Sequence, residues 1–243
     1  MDATAQGTHV VLATARPPRS VRDIYKHLRL NTPTIHYNGA LVHHMPQKKH
    51  LFHKPIPAKL TKKIIKFARR VDPDVVVSVE ILDKWYTDHH NRELLTATAH
   101  KYPPDFVGPF VAFMHQPVTK LMLLAPAEKM KRIAHSVISK YSEQVTVAVS
   151  DKHLIQIIHP EVDKGSALAS VAKSLGIARQ RVMAVGDAPN DIGMIKWSGL
   201  GVAMENAWPR VLEVCDAVTE SNDNDGLAKA IEKYVLRRGR STK

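Results

Sequence analysis

Short apolar runs alternate along the chain with longer stretches whose apolar residues recur every three or four positions. Each short run is rich in Val, Ile or Leu and ends at polar or turn residues, which is typical of a β-strand. The predicted strands are His9–Ala13, Val75–Val79, Lys120–Leu124, Val145–Val149, Leu154–Ile158, Val182–Val185 and Leu200–Met204. Helical spacing is clearest from Met130 to Tyr141 and from Leu168 to Leu175, where one face is apolar. This alternation predicts an α/β fold with parallel sheets and helical crossovers.

The same pattern predicts two domains. From Leu154 to Val235 the order is strand, helix, strand, helix, strand, and the near-continuous apolar strands indicate a sheet covered on both faces. The first forty residues have a similar pattern, whereas the stretch from about Leu41 to Ser150 is rich in His, Lys and Pro. We therefore predict a core domain of residues 1–40 and 151–243, with an inserted α/β domain of residues 41–150.

Composition indicates a globular protein. The 243 residues are 44% hydrophobic, which is enough for a real core. No apolar run approaches the roughly 18 residues that span a bilayer, and the amino end lacks the basic-then-apolar order of a signal peptide. We therefore expect a cytoplasmic protein without a membrane partner. The single Cys215 excludes an internal disulfide, and its apolar neighbours predict a buried packing role.

The formal net charge of +12 attracts polyanions, so nucleic acid has to be considered beside phosphorylated metabolites. The chain has no basic stretch interleaved with aromatic residues and no zinc-finger spacing, which argues against a nucleic-acid module. The densest basic run, Leu236–Lys243, is expected to be a solvated terminus. The histidines of the predicted insert are mixed with lysines without a repeated ligand spacing, so a titratable surface is expected there.

The segment GDAPNDIGMI, which follows the apolar run Val182–Val185, places Asp187 at the carboxyl end of a predicted strand. Open α/β sheets bind their ligands at that edge. Pro189 suits the first turn of a helix, so Asp187 and Asp191 can converge on one point. Such an oxygen site favours Mg²⁺, which needs few protein ligands. The alternative is structural, with Asp191 as a helix cap and Asp187 as a turn former. The spacing alone leaves both open.

A second polar cluster begins the helix in VDKGSALASVAKSLGI. Asp163 is expected to cap this helix, which places Lys164 in its first turn. The helix dipole is positive there and disfavours a cation by roughly half a kcal/mol. An anion opposite Lys164, such as a phosphate, would explain the lysine, and the alternative is a solvated side chain.

A third cluster follows the first predicted strand. Thr14 and Arg16 lie in a Pro-rich turn after Ala13, where a hydroxyl and a guanidinium could hold a phosphoryl group, although Thr-x-Arg-Pro is also a common helix start. Asn38 and Gly39 come next and could form a tight turn or a polar wall of the same pocket.

Taken in order, LATARP, YNGAL, DKGSAL, VGDAPNDIGMI, GLGVAMENA and VTESNDNDGLAKAI resemble the Cof-type haloacid dehalogenase-like phosphatases of subclass IIB. The resemblance implies a Rossmann-like core with an inserted C2-type cap domain, and a Mg²⁺-dependent phosphatase. It implies that Thr14 and Lys164 are catalytic, and that Asp187 and Asp191 bind Mg²⁺. The residues it implies for phosphate or substrate binding are Arg16, Asn38, Gly39, Asn190 and Asn206.

One departure from the family pattern concerns the chemistry itself. The sequence has no Asp-x-Asp-Gly-Thr segment, which in the family lies on the first core strand and supplies the attacking carboxylate. Only eight residues precede His9, and Asp2 falls outside the equivalent position. The first core strand is therefore expected to be missing, the true start is expected to lie upstream, and the chain as it stands is expected to be nearly inactive.

Two functions follow from these observations. The first is a Mg²⁺-dependent phosphatase that acts on small phosphorylated metabolites, such as sugar phosphates or nucleotides, through an aspartyl-phosphate. The second is a non-catalytic phosphate-binding or interaction protein on a degraded scaffold of the same fold. The missing segment favours the second function, and the presence of every other motif favours the first.

Overall fold

The computed structural model describes residues 2–89, 94 and 97–236. The strands are β1 (Thr34–His36), β2 (Leu41–His44), β3 (Lys49–His53), β4 (Val76–Ile81), β5 (Lys84–Thr87), β6 (Phe106–Val107), β7 (Lys120–Leu124), β8 (Thr146–Asp151), β9 (Leu154–Ile158), β10 (Met183–Gly186), β11 (Leu200–Met204) and β12 (Ala217–Thr219). The helices are α1 (Asp2–Ala5), α2 (Pro18–His27), α3 (Ala58–Val71), α4 (Ala97–Lys101), α5 (Ala127–Tyr141), α6 (Lys164–Ser174), α7 (Ile192–Trp197), α8 (Pro209–Leu212) and α9 (Gly226–Ile231). This mixture of sheets and helices confirms the α/β class.

The chain forms two compact units. The first comprises the described parts of residues 1–15, 21–51 and 163–243, and the second those of residues 16–20 and 52–162. The bounds differ from the predicted ones at residues 40 and 150, because β2 pairs with β1 in the first unit and β9 pairs with β7 in the second. The identity of residues 41–150 as an inserted cap domain stays a prediction.

The first unit contains one three-stranded sheet and most of a second, whose strand β3 ends at residues 52 and 53 of the second unit. β10, β11 and β12 are parallel neighbours, and the parallel pairing of β10 with β11 is as predicted. β12 is not among the predicted strands, and the prediction that Leu154–Ile158 begins this sheet is wrong, because that strand lies in the second unit. β1, β2 and β3 form the other sheet, in which β1 and β2 are antiparallel. α6 buries Ala167 and Val171 against Ile35 and Val42, and the α7 residue Ile195 packs against Ala203.

The predicted strand His9–Ala13 is wrong as a regular element. Within it, Ala13 alone forms a bridge, to Ile35 in parallel orientation, and the Leu12 carbonyl accepts the Ile35 N–H at 2.8 Å. Val11 and Ala13 are half-buried against the α6 cluster. These residues are apolar because they pack against a helix. In so short a run, this pattern cannot be distinguished from that of a strand.

The second unit is built on one six-stranded sheet with the order β6-β5-β4-β7-β9-β8. Pairing is antiparallel except between β5 and β6, so the expected parallel arrangement is wrong here. β7 and β9 have the predicted bounds. One face of the sheet is covered by α3 and α5, whose residues Ile64, Ile65 and Ile133 are fully buried in the core.

Three sequence expectations concern residues outside these cores. Cys215 is half-buried rather than buried, and it packs beside the Val211 cluster. Of the basic run Leu236–Lys243, residues 237–243 lie outside the described residues. In the part of the chain that is described, no helix combines the length and apolar character needed to cross a bilayer.

A buried ionic network joins β4 and β7 in the second unit. Glu80 lies opposite Lys120 across the two strands, and both residues are at most 5% exposed. Arg19 donates through Nη2 to both carboxylate oxygens of Glu80 at 2.7 Å and through Nη1 to the Asp83 carbonyl at 3.0 Å. Burial lowers the pKa of Lys120, and the charge of Glu80 opposes that shift. Glu80 therefore lies between two buried cations, and Arg19 has a second carboxylate partner in Asp83, whose Oδ1 is 3.3 Å from Nη1.

Replacing Glu80 by Ala leaves Lys120 buried without the carboxylate opposite it and leaves Asp83 as the remaining carboxylate partner of Arg19 among the described contacts. We expect the free energy of unfolding to fall by about 3–5 kcal/mol, the usual cost of breaking a buried pair from one side. Urea unfolding followed by circular dichroism measures this loss. The control is Glu128→Ala, because Glu128 pairs with Lys131 on the surface of α5. Equal effects of the two substitutions would show that the network does not stabilise the unit.

Candidate functional site

The candidate site begins where β10 ends, in the first unit. Asp187 is the first residue after Gly186 and its side chain is exposed, whereas Asp191 is 4% exposed at the end of a short 3-10 helix, Pro189–Asp191. The turn folds tightly because Gly186 has no side chain. A Cβ atom at Gly186 would lie 2.5 Å from the Cβ of Asp191. The sequence therefore brings both carboxylates to one strand end.

Asp191 uses both of its carboxylate oxygens inside the site. Its Oδ2 accepts the backbone N–H groups of Asp187 and Ala188, each at 3.1 Å. Its Oδ1 accepts a hydrogen bond from the Lys164 ammonium at 2.6 Å. The contacts of Asp191 with the backbone of the turn are those of the structural alternative, a helix cap. The ion pair with Lys164 is an additional contact that this alternative does not include.

Lys164 is the first residue of α6, and Asp163 caps this helix by accepting the N–H groups of Gly165 and Ser166 at 2.6 and 3.1 Å. The Lys164 side chain is 7% exposed, so the solvated alternative for this lysine is wrong. The anion that offsets the unfavourable dipole is the Asp191 carboxylate. An ammonium held between a buried carboxylate and a helix start is also placed to attract a second anion.

Two glycines let α6 and α7 approach each other closely. A Cβ atom at Gly165 would lie 2.5 Å from the carbonyl carbon of Gly193, and one at Gly193 would lie 2.5 Å from Oδ1 of Asp163. Sequence reasoning missed this role. The signal was present, since each glycine lies one or two residues beyond Lys164 or Asp191.

The Asn38-Gly39 segment lies against the same turn. Asn190 donates from its side-chain amide to Asn38 Oδ1 at 2.8 Å. Asn38 and Gly39 have φ angles of 59° and 109°, and a Cβ atom at Gly39 would overlap the Asp163 carbonyl. The N–H of Asn38 donates to the Thr14 carbonyl at 3.1 Å, which places the Thr14 backbone beside this loop.

The loop that follows β11 contains Asn206 and Trp208, and Trp208 contacts the turn that carries Asp187. The side chain of Asn206 accepts the N–H of Asn222 at 3.0 Å, so it orders the loop before α9. The N–H of Trp208 donates to the Asp187 carbonyl at 2.9 Å, although the ring of Trp208 is 63% exposed. Sequence reasoning missed Trp208, because a main-chain contact has no residue signature.

The structure therefore groups most of the predicted site residues in the first unit. Lys164 and Asp191 are paired directly, Asn38 and Asn190 are paired directly, and Asp187 lies within the same turn. Arg16 is exposed and belongs to the second unit. Among the described residues, no group of three or more His, Cys, Asp or Glu side chains is arranged to hold a metal ion.

Comparison with known proteins identifies relatives that match along nearly the whole chain. The chain is 28% identical over 232 residues to 5-amino-6-(5-phospho-D-ribitylamino)uracil phosphatase YitU of Bacillus subtilis, covering 94% of this chain and 85% of the relative. It is 27% identical over 266 residues to phosphatase YwpJ of the same organism, covering 96% and 90%.

Solved structures give the same picture. A haloacid dehalogenase-like hydrolase from Bacteroides thetaiotaomicron superposes with a TM-score of 0.85 at 26% identity, covering 94% of this chain and 87% of the other. The family model described as haloacid dehalogenase-like hydrolase matches residues 1–231. The chain therefore belongs to the haloacid dehalogenase-like hydrolase family.

Proposed function

We propose that the turn after β10 is the phosphate site of a Mg²⁺-dependent phosphatase that acts on small phosphorylated metabolites. The observation that carries the proposal is the buried pair between Lys164 and Asp191, with the exposed carboxylate of Asp187 beside it. The relatives support the substrate class, since YitU is named for a ribityl phosphate and YwpJ is named a phosphatase.

The charges of the site explain why a metal is needed. Asp187 and Asp191 against Lys164 leave a net negative charge, which would repel a phosphate dianion. The donor chemistry fits Mg²⁺, because this ion takes carboxylate oxygens, needs only one or two of them, and fills its other positions with water and substrate oxygens. Asp187 and Asp191 would hold the ion. When bound, it supplies positive charge that stabilises the transferring phosphoryl group.

The chain's own residues would then bind and orient the substrate. The Lys164 ammonium faces the phosphate as a fixed cation, held in place by Asp191 and requiring no movement during the reaction. Asn190 and Asn38 brace each other and present amide groups at the edge of the site. Thr14 lies beside this loop through its carbonyl, and we propose that its hydroxyl donates to a phosphoryl oxygen.

The attacking group is a separate matter. The Asp-x-Asp-Gly-Thr segment is absent from the sequence, so none of the residues at this site is proposed as the nucleophile. We propose that the 243-residue chain binds phosphate esters together with Mg²⁺ but turns them over poorly. Non-catalytic phosphate binding is the second candidate function, and the missing segment favours it.

Two isosteric substitutions separate binding from folding at this site. Asp187→Asn removes an exposed carboxylate, so we expect stability within about 0.5 kcal/mol of the wild type and loss of Mg²⁺-dependent phosphate binding. Asp191→Asn leaves the buried Lys164 ammonium without an anion, so we expect a loss of about 3–5 kcal/mol in the free energy of unfolding. Urea unfolding and titration calorimetry with inorganic phosphate and Mg²⁺ measure the two effects.

The matched control for both substitutions is Glu213→Gln, which changes an exposed carboxylate of the same unit to its amide. This variant is expected to keep both stability and phosphate binding. Unchanged phosphate binding in Asp187→Asn would remove that residue from the metal site. Wild-type stability in Asp191→Asn would show that the pair with Lys164 does not hold the turn.

Hydrolysis of p-nitrophenyl phosphate with Mg²⁺ tests the chemistry. We expect turnover from a protein extended upstream by an in-frame Asp-x-Asp-Gly-Thr segment and almost none from the 243-residue chain. In the extended protein, Asp187→Ala is expected to lower the rate by about 100-fold or more, as for other lost electrostatic contacts to a transition state. Folded proteins of both lengths that bind phosphate without turnover would instead support the non-catalytic function.

A further inference from the structure

The helices α3 and α5 form an antiparallel pair on the second unit. At one end Tyr141 Oη donates to the Lys63 carbonyl at 3.4 Å, and Lys140 Nζ lies 4.4 Å from the centre of the Phe67 ring. At the other end Lys129 Nζ lies 3.3 Å from the Asp72 carboxylate. The apolar faces of both helices are buried against the sheet, so their polar faces form one exposed surface.

The residues of α3 and α5 account for most of the chain's formal net charge. α3 has six Lys or Arg residues and no Asp or Glu, and α5 has four Lys or Arg residues and one Glu. The two helices thus account for a net charge of +9, against +12 for the whole chain. The antiparallel packing of the two helices places these charges side by side.

Five exposed cations of α3 form a stripe along the helix. From Lys59 to Lys63, Lys66 and Arg70 the spacings are four, three and four residues, and Lys62 lies three residues after Lys59. These spacings place the five side chains on one side of the helix, and the stripe consists of Lys59, Lys62, Lys63, Lys66 and Arg70. From the first to the last cation it is about 17 Å long, at 1.5 Å of rise per residue. The stripe is therefore a straight, rigid row of positive charge.

Nearby carboxylates do not neutralise the stripe. Asp72 and Asp74 pair with Lys129, and Asp88 pairs with Arg69. Across the ranges that the structure describes, none of the five stripe residues pairs with a carboxylate. The first turn of α3 also lacks the acidic residue that would offset the helix dipole. Repulsion along the stripe would be relieved by a polyanion.

We propose that the α3 stripe binds the phosphate backbone of double-helical nucleic acid, without sequence preference. A duplex carries one charge per roughly 1.7 Å of axis, so a stripe of this length faces several phosphates at once. Single strands are usually held by stacking on exposed aromatic rings. On α3 and α5, Tyr141 is buried and Phe67 is half-buried beside Lys140.

The composition of the exposed surface also favours a duplex over a membrane. Helices that lie on bilayers insert an apolar face, whereas the apolar faces of α3 and α5 are already used in the core. Sequence analysis argues against a base-reading module, and contact with the backbone alone needs none. The binding is purely electrostatic and therefore strongly dependent on salt.

Fluorescence anisotropy with a labelled 20-base-pair duplex DNA, in EDTA, tests the proposal. The key variant replaces Lys59, Lys62, Lys63 and Lys66 together by Gln, which keeps helix propensity and much of each stem. We expect the wild type to bind with a Kd of about 1–100 µM. The variant is expected to bind at least about tenfold more weakly, with a slope of log K against log salt that is smaller by about 3–4.

The control replaces Lys26, Lys48, Lys49 and Lys173 by Gln, four exposed lysines of the first unit that give the same net charge. We expect this control to bind within about threefold of the wild type. Circular dichroism establishes that both variants are folded. An equal loss of duplex affinity in both variants would show that net charge alone causes the effect, and would overturn the proposal. Unchanged affinity in the stripe variant would overturn it too. Binding to phosphatidylserine vesicles without binding to the duplex would also overturn it.

Discussion

The ion pair between Lys164 and Asp191 is the interaction on which the candidate site depends. It joins the first residue of α6 to the turn after β10, two segments that are 27 positions apart in the chain. Asp191 also closes its own turn through two backbone N–H groups. One buried carboxylate therefore sets both the position of the ammonium and the shape of the loop that carries Asp187. A buried ion pair is a weak source of stability, but it fixes geometry because few other arrangements satisfy both charges.

The candidate site combines a buried ion pair with exposed polar side chains. Asp191 and Lys164 are buried and committed to each other, while Asp187 and Asn190 are exposed at the surface of the same turn. The exposed groups of the turn are thus held in place by a buried ion pair. Glycines at positions 39, 165, 186 and 193 make this arrangement possible, since each leaves room for a neighbouring backbone or carboxylate. The family assignment agrees with a site built at the end of a strand.

Local pattern was enough to predict much of the fold. β7, β9 and β11 have the predicted bounds, and Asp163 caps α6 as expected. The predictions that failed concern which strands or charged groups lie next to each other, because a local sequence pattern does not specify distant neighbours. Leu154–Ile158 is equally apolar in a parallel or an antiparallel sheet, and its true neighbours are distant β7 and adjacent β8. The anion opposite Lys164 was expected to be a ligand, yet the fold supplies one from its own chain. The charge of α3 can be counted in the sequence. Its position on an exposed face beside α5 depends on tertiary packing, which the sequence pattern does not contain.

The contact between Trp208 and Asp187 has a consequence for divergence within the family. Because the Trp208 N–H, and not its ring, holds the Asp187 carbonyl, the acidic turn is insensitive to which side chain occupies position 208. Any residue except proline provides the same tether. The exposed ring beside the candidate site is therefore free to change without moving the carboxylates. Main-chain anchoring of this kind lets the side chains around a turn vary while the backbone of the turn keeps its position.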